Sequence, residues 1–204
     1  PMPDDIAIAE IERELGRKVG EIFREFDTSR LASASIAQTY RAVMLNGEEV
    51  CVKIQRPGID RKIELDLRLM NYFAARIERN NPEMEAINLV GVVKEFGKTI
   101  RKELNFHNEA ANVVRFSHCF RDDPDIRVPR VYAQYTTRRI LVEEFIRGVK
   151  VSDLETLLRT GHDPKLIATR AMRLVFDQIF THGFFHADPH PGNLFVTEGT
   201  VLSF

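Results

Sequence analysis

The stretch His186-Ala187-Asp188-Pro189-His190-Pro191-Gly192-Asn193 decides how the chain is interpreted. It places a carboxylate and a side-chain amide five residues apart, at Asp188 and Asn193. A carboxylate can meet the hydroxyl or water that attacks a phosphate, and an amide oxygen can hold magnesium beside that phosphate. The prolines and the glycine between them stiffen and sharpen the loop. The stretch therefore predicts a phosphate-handling loop.

The spacing His-x-Asp-x-x-x-x-Asn is that of the catalytic loop of kinases. It predicts a kinase-like fold that uses ATP and Mg²⁺, with Asp188 as the catalytic acid and Asn193 as a metal ligand. We favour a loop-stabilising role for His190 over a catalytic one. The spacing of His182, His186 and His190 would suit zinc only on a helix, and the glycine and prolines between them break such a helix.

Lys53 is the second candidate, because Val-Cys-Val-Lys53 fits the phosphate-binding strand of kinases. Val50, Val52 and Ile54 alternate with it, so the lysine faces away from the apolar side of the strand. A solvated strand lysine is the alternative, and the downstream loop favours phosphate binding. Such a lysine needs an acidic partner from a helix. Glu103 and Glu109 are the two candidates, and the sequence alone does not choose between them.

The loop between the first two predicted strands has no Gly-x-Gly-x-x-Gly pattern. Small residues that let a backbone approach phosphates stand there instead, namely Ala32, Ser33, Ala34 and Ser35. Alanine and serine disfavour positive φ, so we expect this loop to handle a nucleotide differently from a glycine-rich one.

Hydrophobic periodicity and turn residues predict the secondary structure. We expect a helix over 4–16, a strand from Phe23, a flexible stretch over 29–38, and a hairpin of strands 39–45 and 49–55 around Asn46-Gly47. Helices over 59–79 and 88–119, strands over 127–135 and 139–145, and a helical remainder follow. A core stripe of Met172, Val175, Phe176, Ile179 and Phe180 is predicted within it.

This order predicts an α+β fold of the two-lobed, protein-kinase-like type, with a mostly antiparallel N-lobe sheet, inserted helices and a helical C-lobe. We divide the chain into an N-terminal helix (1–20), an N-lobe (21–146) and a partial C-lobe with the catalytic loop (147–204). The apolar strand Val201-Leu-Ser-Phe204 fits the position just before the Asp-Phe-Gly triplet that supplies the second metal ligand. We therefore expect the helical lobe to be truncated there.

The length, charge and hydrophobicity of the chain exclude several classes of protein. The 204 residues carry a net charge of −1, which gives no strong field for nucleic acid. The first residues show no charged-then-apolar leader, and no run reaches the roughly 20 apolar residues of a membrane span. We expect a cytoplasmic protein.

The sequence resembles the UbiB/ADCK-type atypical kinases, the family linked to ubiquinone biosynthesis. The resemblance runs from about Arg13 to Phe204. It is carried by Leu-Ala-Ser-Ala-Ser-Ile-Ala-Gln38, Val-Lys53-Ile-Gln-Arg-Pro-Gly58, Glu103-x-x-x-x-x-Glu109-Ala, Glu143-Glu-Phe-Ile-x-Gly148 and Phe-His186-Ala-Asp188-Pro-His-Pro-Gly-Asn193. The alanine-rich loop and the Gln-Arg-Pro-Gly segment decide against small-molecule kinases of the aminoglycoside phosphotransferase type.

The resemblance implies ATP with magnesium, ATPase or small-molecule kinase activity, and a peripheral role at the inner membrane near isoprenoid or quinone-related lipid. It implies that Lys53 binds phosphates, that Glu109 or Glu103 pairs with it, and that a hinge containing Glu143, Phe145 and Ile146 meets adenine. Two departures stand out. Ala37 replaces a frequent glycine, and the N-terminal Lys-x-Gly-Gln element of the family is absent from the chain. The alternative function is a nucleotide-binding regulatory or scaffold module with little catalysis.

Overall fold

The computed structural model describes residues 2–81, 87–184 and 194–203. The chain divides into two compact units. The first comprises 1–110 and 132–142, and the second comprises 111–131 and 143–204. The predicted N-lobe boundary at 146/147 lies just after the 142/143 junction, but the structure also assigns 111–131 to the second unit.

A four-stranded sheet forms the centre of the first unit, in the order β1-β2-β3-β5. The strands are β1 (Phe23–Ser33), β2 (Ala37–Met44), β3 (Glu49–Gln55) and, after the second-unit strand β4 (Ile126–Arg127), β5 (Ile140–Glu144). The hairpin of β2 and β3 is confirmed, and Gly47 in its turn has φ 89°. The stretch 29–38 is not a loop throughout, because β1 continues to Ser33 and pairs with β2 across three register shifts.

Helix α1 (Asp4–Leu15) packs on this sheet and belongs to the same hydrophobic core. Ala7 and Ile11 are fully buried there, together with Tyr40, Val52 and Ile140. Gly16 ends the helix in the left-handed conformation, as its sequence predicts. Asp4 and Asp5 lie in the first turn of the helix, and Pro3 occupies the capping position without a side-chain hydrogen bond.

The described residues between β3 and β4 form the helices α2 (Ile59–Asn80), α3 (Leu89–Glu103) and α4 (Phe106–Cys119). The predicted single helix over 88–119 is therefore wrong, since the chain breaks at Leu104-Asn105. Helices α2 and α3 pack closely at Gly97, where an added Cβ would lie 3.5 Å from the Leu67 side chain.

The second unit has a small mixed sheet in the order β4-β8-β7-β6. Its further strands are β6 (Val149–Lys150), β7 (Phe195–Val196) and β8 (Leu202–Ser203). Strands β4 and β8 are parallel, and the other pairs are antiparallel. The predicted strand over 127–135 is wrong, because those residues form only the end of β4, an isolated bridge from Val131 to Glu143 and a short 3₁₀ turn.

Helices α5 (Leu154–Arg159) and α6 (Pro164–Phe176) also lie in this unit. Asp163 caps α6 by accepting a hydrogen bond from the Lys165 amide at 2.9 Å, as the Asp-Pro pair predicts. Arg173 links α6 to the loop between α4 and β4 by donating to both carboxylate oxygens of Asp123, at 2.8 and 2.7 Å.

The predicted core stripe over 172–180, along α6 and the π-helical turn Asp177–Thr181 that follows it, is wrong. Met172, Phe176, Ile179 and Phe180 are 56%, 51%, 45% and 77% exposed, and a neighbouring face is buried through Ile167, Leu174 and Gln178. Both faces are apolar at helical spacing, so the period alone cannot select the buried one.

Gly148 has a packing role, although its sequence context suggests a flexible joint. A Cβ at this position would lie 2.8 Å from the backbone carbonyl oxygen of Val196, within the second unit. The backbone of β7 therefore occupies the space that any side chain at position 148 would need.

We predict that Gly148→Ala destabilises the protein by about 1–3 kcal/mol, the usual cost of overpacking a fixed backbone. Urea unfolding followed by circular dichroism measures the change. Gly20→Ala is the control, because a Cβ there meets nothing within 4 Å. Equal effects of the two substitutions would contradict the steric explanation.

Candidate functional site

Lys53 lies in the middle of β3, on the face opposite the core. Val52 and Ile54 on either side of it are buried at 0% and 1% exposure. The Lys53 side chain itself is 30% exposed. The alternation seen in the sequence therefore places the ammonium group outside the core and within reach of α4.

Glu109 is the carboxylate that meets Lys53. Lys53 Nζ lies 2.8 Å from Glu109 Oε1 and 2.9 Å from Oε2, so the ammonium group contacts both oxygens. Glu109 stands in the first turn of α4 and its side chain is 39% exposed. An ammonium group has three donors, which leaves capacity for a further acceptor beside this carboxylate.

Glu103 lies elsewhere. It is the last residue of α3, before the break, and it is exposed. The two glutamates that the sequence leaves as alternatives are thus on different helices, and the structure brings only Glu109 to Lys53.

The aromatic ring of Phe106 completes the surroundings of the lysine. Its centroid is 5.0 Å from Lys53 Nζ, within the range of a cation–π contact, and the residue is fully buried. Phe106 is not among the site residues predicted from the sequence. Its position three residues before Glu109, on the same helical face, is the signal that could have found it.

The start of α4 is fixed to the sheet by two hydrogen bonds. Gln55 Nε2 donates to the Leu104 carbonyl at 2.7 Å, and the Phe106 amide donates to the Arg138 carbonyl at 3.0 Å. Gln55 is buried and lies two residues after Lys53 on β3. The strand that carries the lysine therefore also positions the helix that carries its partner.

The small-residue segment forms the end of β1 and a short turn. Ala32 and Ser33 are the last residues of the strand, Ala34 and Ser35 begin the turn, and all four are exposed. The Ala34 amide donates to the Ala37 carbonyl at 2.9 Å, which closes the turn.

Arg56 holds this turn. Its Nε and Nη2 donate to the Ala34 carbonyl at 3.1 and 3.0 Å, and Nη2 lies 2.9 Å from Ser33 Oγ. Its amide donates to the Ile36 carbonyl at 2.9 Å. This structural function of Arg56 is not predicted from the sequence, where the Gln-Arg-Pro-Gly segment supports only the family resemblance.

The remaining predicted site residues are in the second unit or outside the described residues. Glu143 lies on β5, and Phe145 and Ile146 follow it; all three are half-buried. Ser203, in the strand predicted to precede the metal-binding triplet, is fully buried. His186, Asp188, His190 and Asn193 lie outside the described residues. The ring of His182 packs edge-on against Phe120 at 4.9 Å.

A lysine on the third strand of an antiparallel sheet, paired with a glutamate of a following helix, defines a kinase-like protein. The ABC1 atypical kinase-like domain matches residues 1–204. The chain belongs to this family, as its resemblance to UbiB-type kinases predicts.

The chain is also similar to individual curated proteins. The chain is 43% identical over 197 residues to the probable protein kinase UbiB of Azotobacter vinelandii. It is 40% identical over 197 residues to an uncharacterized protein of Synechocystis sp.. These alignments cover 97% of the chain and 37% and 35% of the two relatives, so the chain spans little more than a third of their length.

A solved structure also matches the whole chain. The Rv3197 protein of Mycobacterium tuberculosis, in complex with erythromycin, has a TM-score of 0.83 and 30% identity. The match covers 100% of this chain and 51% of that one. The predicted α+β, kinase-like fold is confirmed. Within the described residues, no helix combines the length and apolarity needed to cross a membrane.

We predict that Arg56→Ala increases hydrogen exchange of the amides over 33–37, because the turn loses its side-chain donors. Hydrogen-exchange mass spectrometry measures the effect on a peptide covering these residues. Arg24→Ala is the matched control, since Arg24 is an exposed arginine whose Nε lies 3.5 Å from Oε1 of its neighbour Glu25, outside the turn. Unchanged exchange in Arg56→Ala would show that the turn is held without the guanidinium group.

Proposed function

We propose that this chain is the nucleotide-binding part of an atypical kinase or ATPase that uses ATP and Mg²⁺. The Lys53–Glu109 ion pair carries the proposal. Lys53 binds nucleotide phosphates, and Glu109 holds the ammonium group in position. The first unit offers two features suited to a nucleotide phosphate. Lys53 is a half-buried cation with a donor to spare, and the small-residue turn over 32–35 is exposed.

In this proposal the turn from Ala32 to Ser35 approaches the phosphates, and Glu143, Phe145 and Ile146 contact adenine. Asp188 accepts the proton of the attacking hydroxyl or water, and Asn193 is a metal ligand. Magnesium supplies charge neutralisation at the phosphates when it is bound. The assignments in the catalytic loop rest on the sequence spacing and on membership of the family.

Membership of the family and the resemblance to UbiB-type kinases support a proposed metabolic role. We propose a role in isoprenoid-quinone or related lipid metabolism, in the cytoplasm and at the periphery of the inner membrane. A regulatory nucleotide-binding module without catalysis is the alternative, and the alanine-rich turn in place of glycines favours it. Binding and turnover must therefore be measured separately.

The binding prediction compares the two glutamates. At about 100 times its Kd, Mg-ATP should stabilise the chain by about 2.7 kcal/mol and raise Tm by about 5–10 °C. The ATP-induced shift should shrink in Lys53→Ala and Glu109→Gln. It should persist in Glu103→Gln, which removes a similar charge from an exposed position away from Lys53. Thermal unfolding with and without ATP gives the shift for each variant.

Two results would contradict the binding proposal. One is no shift in the unsubstituted chain at saturating ATP. The other is an equal loss in Glu103→Gln and Glu109→Gln, which would mean that net charge and not the ion pair governs the response.

The turnover prediction concerns Asp188. If the chain hydrolyses ATP, Asp188→Asn should lower the magnesium-dependent rate by about 100-fold or more, the usual contribution of a general base. Asp122→Asn is the control, as Asp122 is exposed. Released phosphate measures the rate. ATP binding with no hydrolysis at all would instead establish the regulatory alternative for this chain.

A further inference from the structure

A groove of about 530 Å³, lined mainly by charged residues, lies in the first unit, and Lys53 is not among its lining residues. The start of α2, the end of α3 and the turn before β5 form its walls. Four arginines and two carboxylates line it, namely Arg61, Arg68, Arg101, Arg138, Asp60 and Glu64.

Both carboxylates already have cationic partners. Arg101 Nε and Nη2 donate to the two oxygens of Glu64 at 2.6 and 2.9 Å. Arg139, beside the groove, donates to Asp60 at 2.7 Å. Among the residues that the structure describes, no ion pair engages Arg61, Arg68 or Arg138. The groove therefore has an excess of positive charge.

The pKa values of Glu64 and Asp60 are consistent with this excess of positive charge. The hydrogen bond from Arg101 lowers the pKa of Glu64, and the charge of nearby Arg68 contributes to the lowering. Burial opposes ionisation of Asp60. The amide hydrogen bond from Arg61 and the charges of Arg139 and Arg138 nevertheless lower its pKa.

The chemistry of this lining selects a class of ligand. Guanidinium groups bind phosphate through two parallel hydrogen bonds, so unpaired arginines around one groove suit a phosphate-bearing anion. Leu65 and Leu104 add an apolar part to the lining, which suits a ligand that also has non-polar atoms. The volume lies in the range of small-molecule sites.

We propose that this groove binds a phosphate-bearing anion, with Arg68 and Arg138 as its main ligands. The proposal does not depend on nucleotide binding at Lys53. The groove adjoins the segment that positions Lys53, because the Arg138 carbonyl accepts from Phe106 and the Leu104 carbonyl accepts from Gln55. The two sites therefore share the short segment between α3 and α4.

Inorganic pyrophosphate is the probe, titrated calorimetrically into the chain. We expect Arg68→Gln/Arg138→Gln to weaken pyrophosphate binding about tenfold or more, since each substitution removes charge-assisted hydrogen bonds. Both arginines are exposed, so the protein should remain folded. Arg76→Gln/Arg79→Gln is the matched control, because it removes two exposed arginines of α2 that do not line the groove and should leave binding within about twofold.

Lys53→Ala separates the groove from the nucleotide site, and it should retain pyrophosphate binding. A second arm identifies the source of the phosphate. Vesicles of phosphatidylcholine with and without phosphatidylglycerol are sedimented with each variant. Selective loss of vesicle binding in the groove variant identifies a lipid headgroup, and selective loss of pyrophosphate binding alone identifies a free phosphate compound.

The proposal is overturned if neither probe distinguishes the groove variant from the control, because binding would then be non-specific attraction. It is also overturned if pyrophosphate binding disappears in Lys53→Ala, persists in the groove variant, and vesicle binding is the same for all variants. That result would show that pyrophosphate binds at the proposed nucleotide site and not in the groove.

Discussion

The arrangement of the first unit depends on one buried side chain, the amide of Gln55. Its Nε2 donates to the carbonyl of Leu104, and its backbone amide donates to the Arg139 carbonyl at 3.0 Å. An unpaired carbonyl buried at this point would cost about 1–3 kcal/mol. The hydrogen bond therefore favours a break between α3 and α4 here. The break sets the start of α4 at Phe106 and so places Glu109 within reach of Lys53.

The ion pair that results is not a strong source of stability. Both side chains are about a third exposed, and pairs in such surroundings contribute about 0–1 kcal/mol. Its significance is positional. Glu109 and the Phe106 ring hold a charged ammonium group at one place on the sheet, where a flexible lysine would otherwise sample many rotamers. A pair of small energetic value in a fixed geometry is more consistent with a ligand site than with a structural one.

The sequence predicts parts of this arrangement and leaves others open, for identifiable physical reasons. The hairpin of β2 and β3 follows from the strict alternation of apolar and polar residues and from an Asn-Gly turn. The same alternation predicts that Lys53 faces away from the core. The break at Leu104-Asn105 has no proline or glycine to mark it, so periodicity extends one helix through it. The choice between Glu103 and Glu109 depends on that break and on a hydrogen bond from Gln55, 49 residues away. Long-range contacts of this kind, and the selection between two apolar faces of α6, are decided by tertiary packing.

In the proposed nucleotide site, the alanine-rich turn takes the place of a glycine-rich loop. Glycine-rich loops use positive φ, but no residue of 32–37 has positive φ, so alanine and serine fit the backbone without strain. A glycine loop is free to close on a ligand, whereas this turn is tied to Arg56 through its Ala34 carbonyl before any ligand arrives. The conformational entropy of the turn is therefore lost when the protein folds and not when a ligand binds. The same tie restricts closure, so a nucleotide beside Lys53 would meet a surface of fixed shape. Arg56 follows Gln55 directly, so the strand that sets the position of α4 also sets the position of the turn.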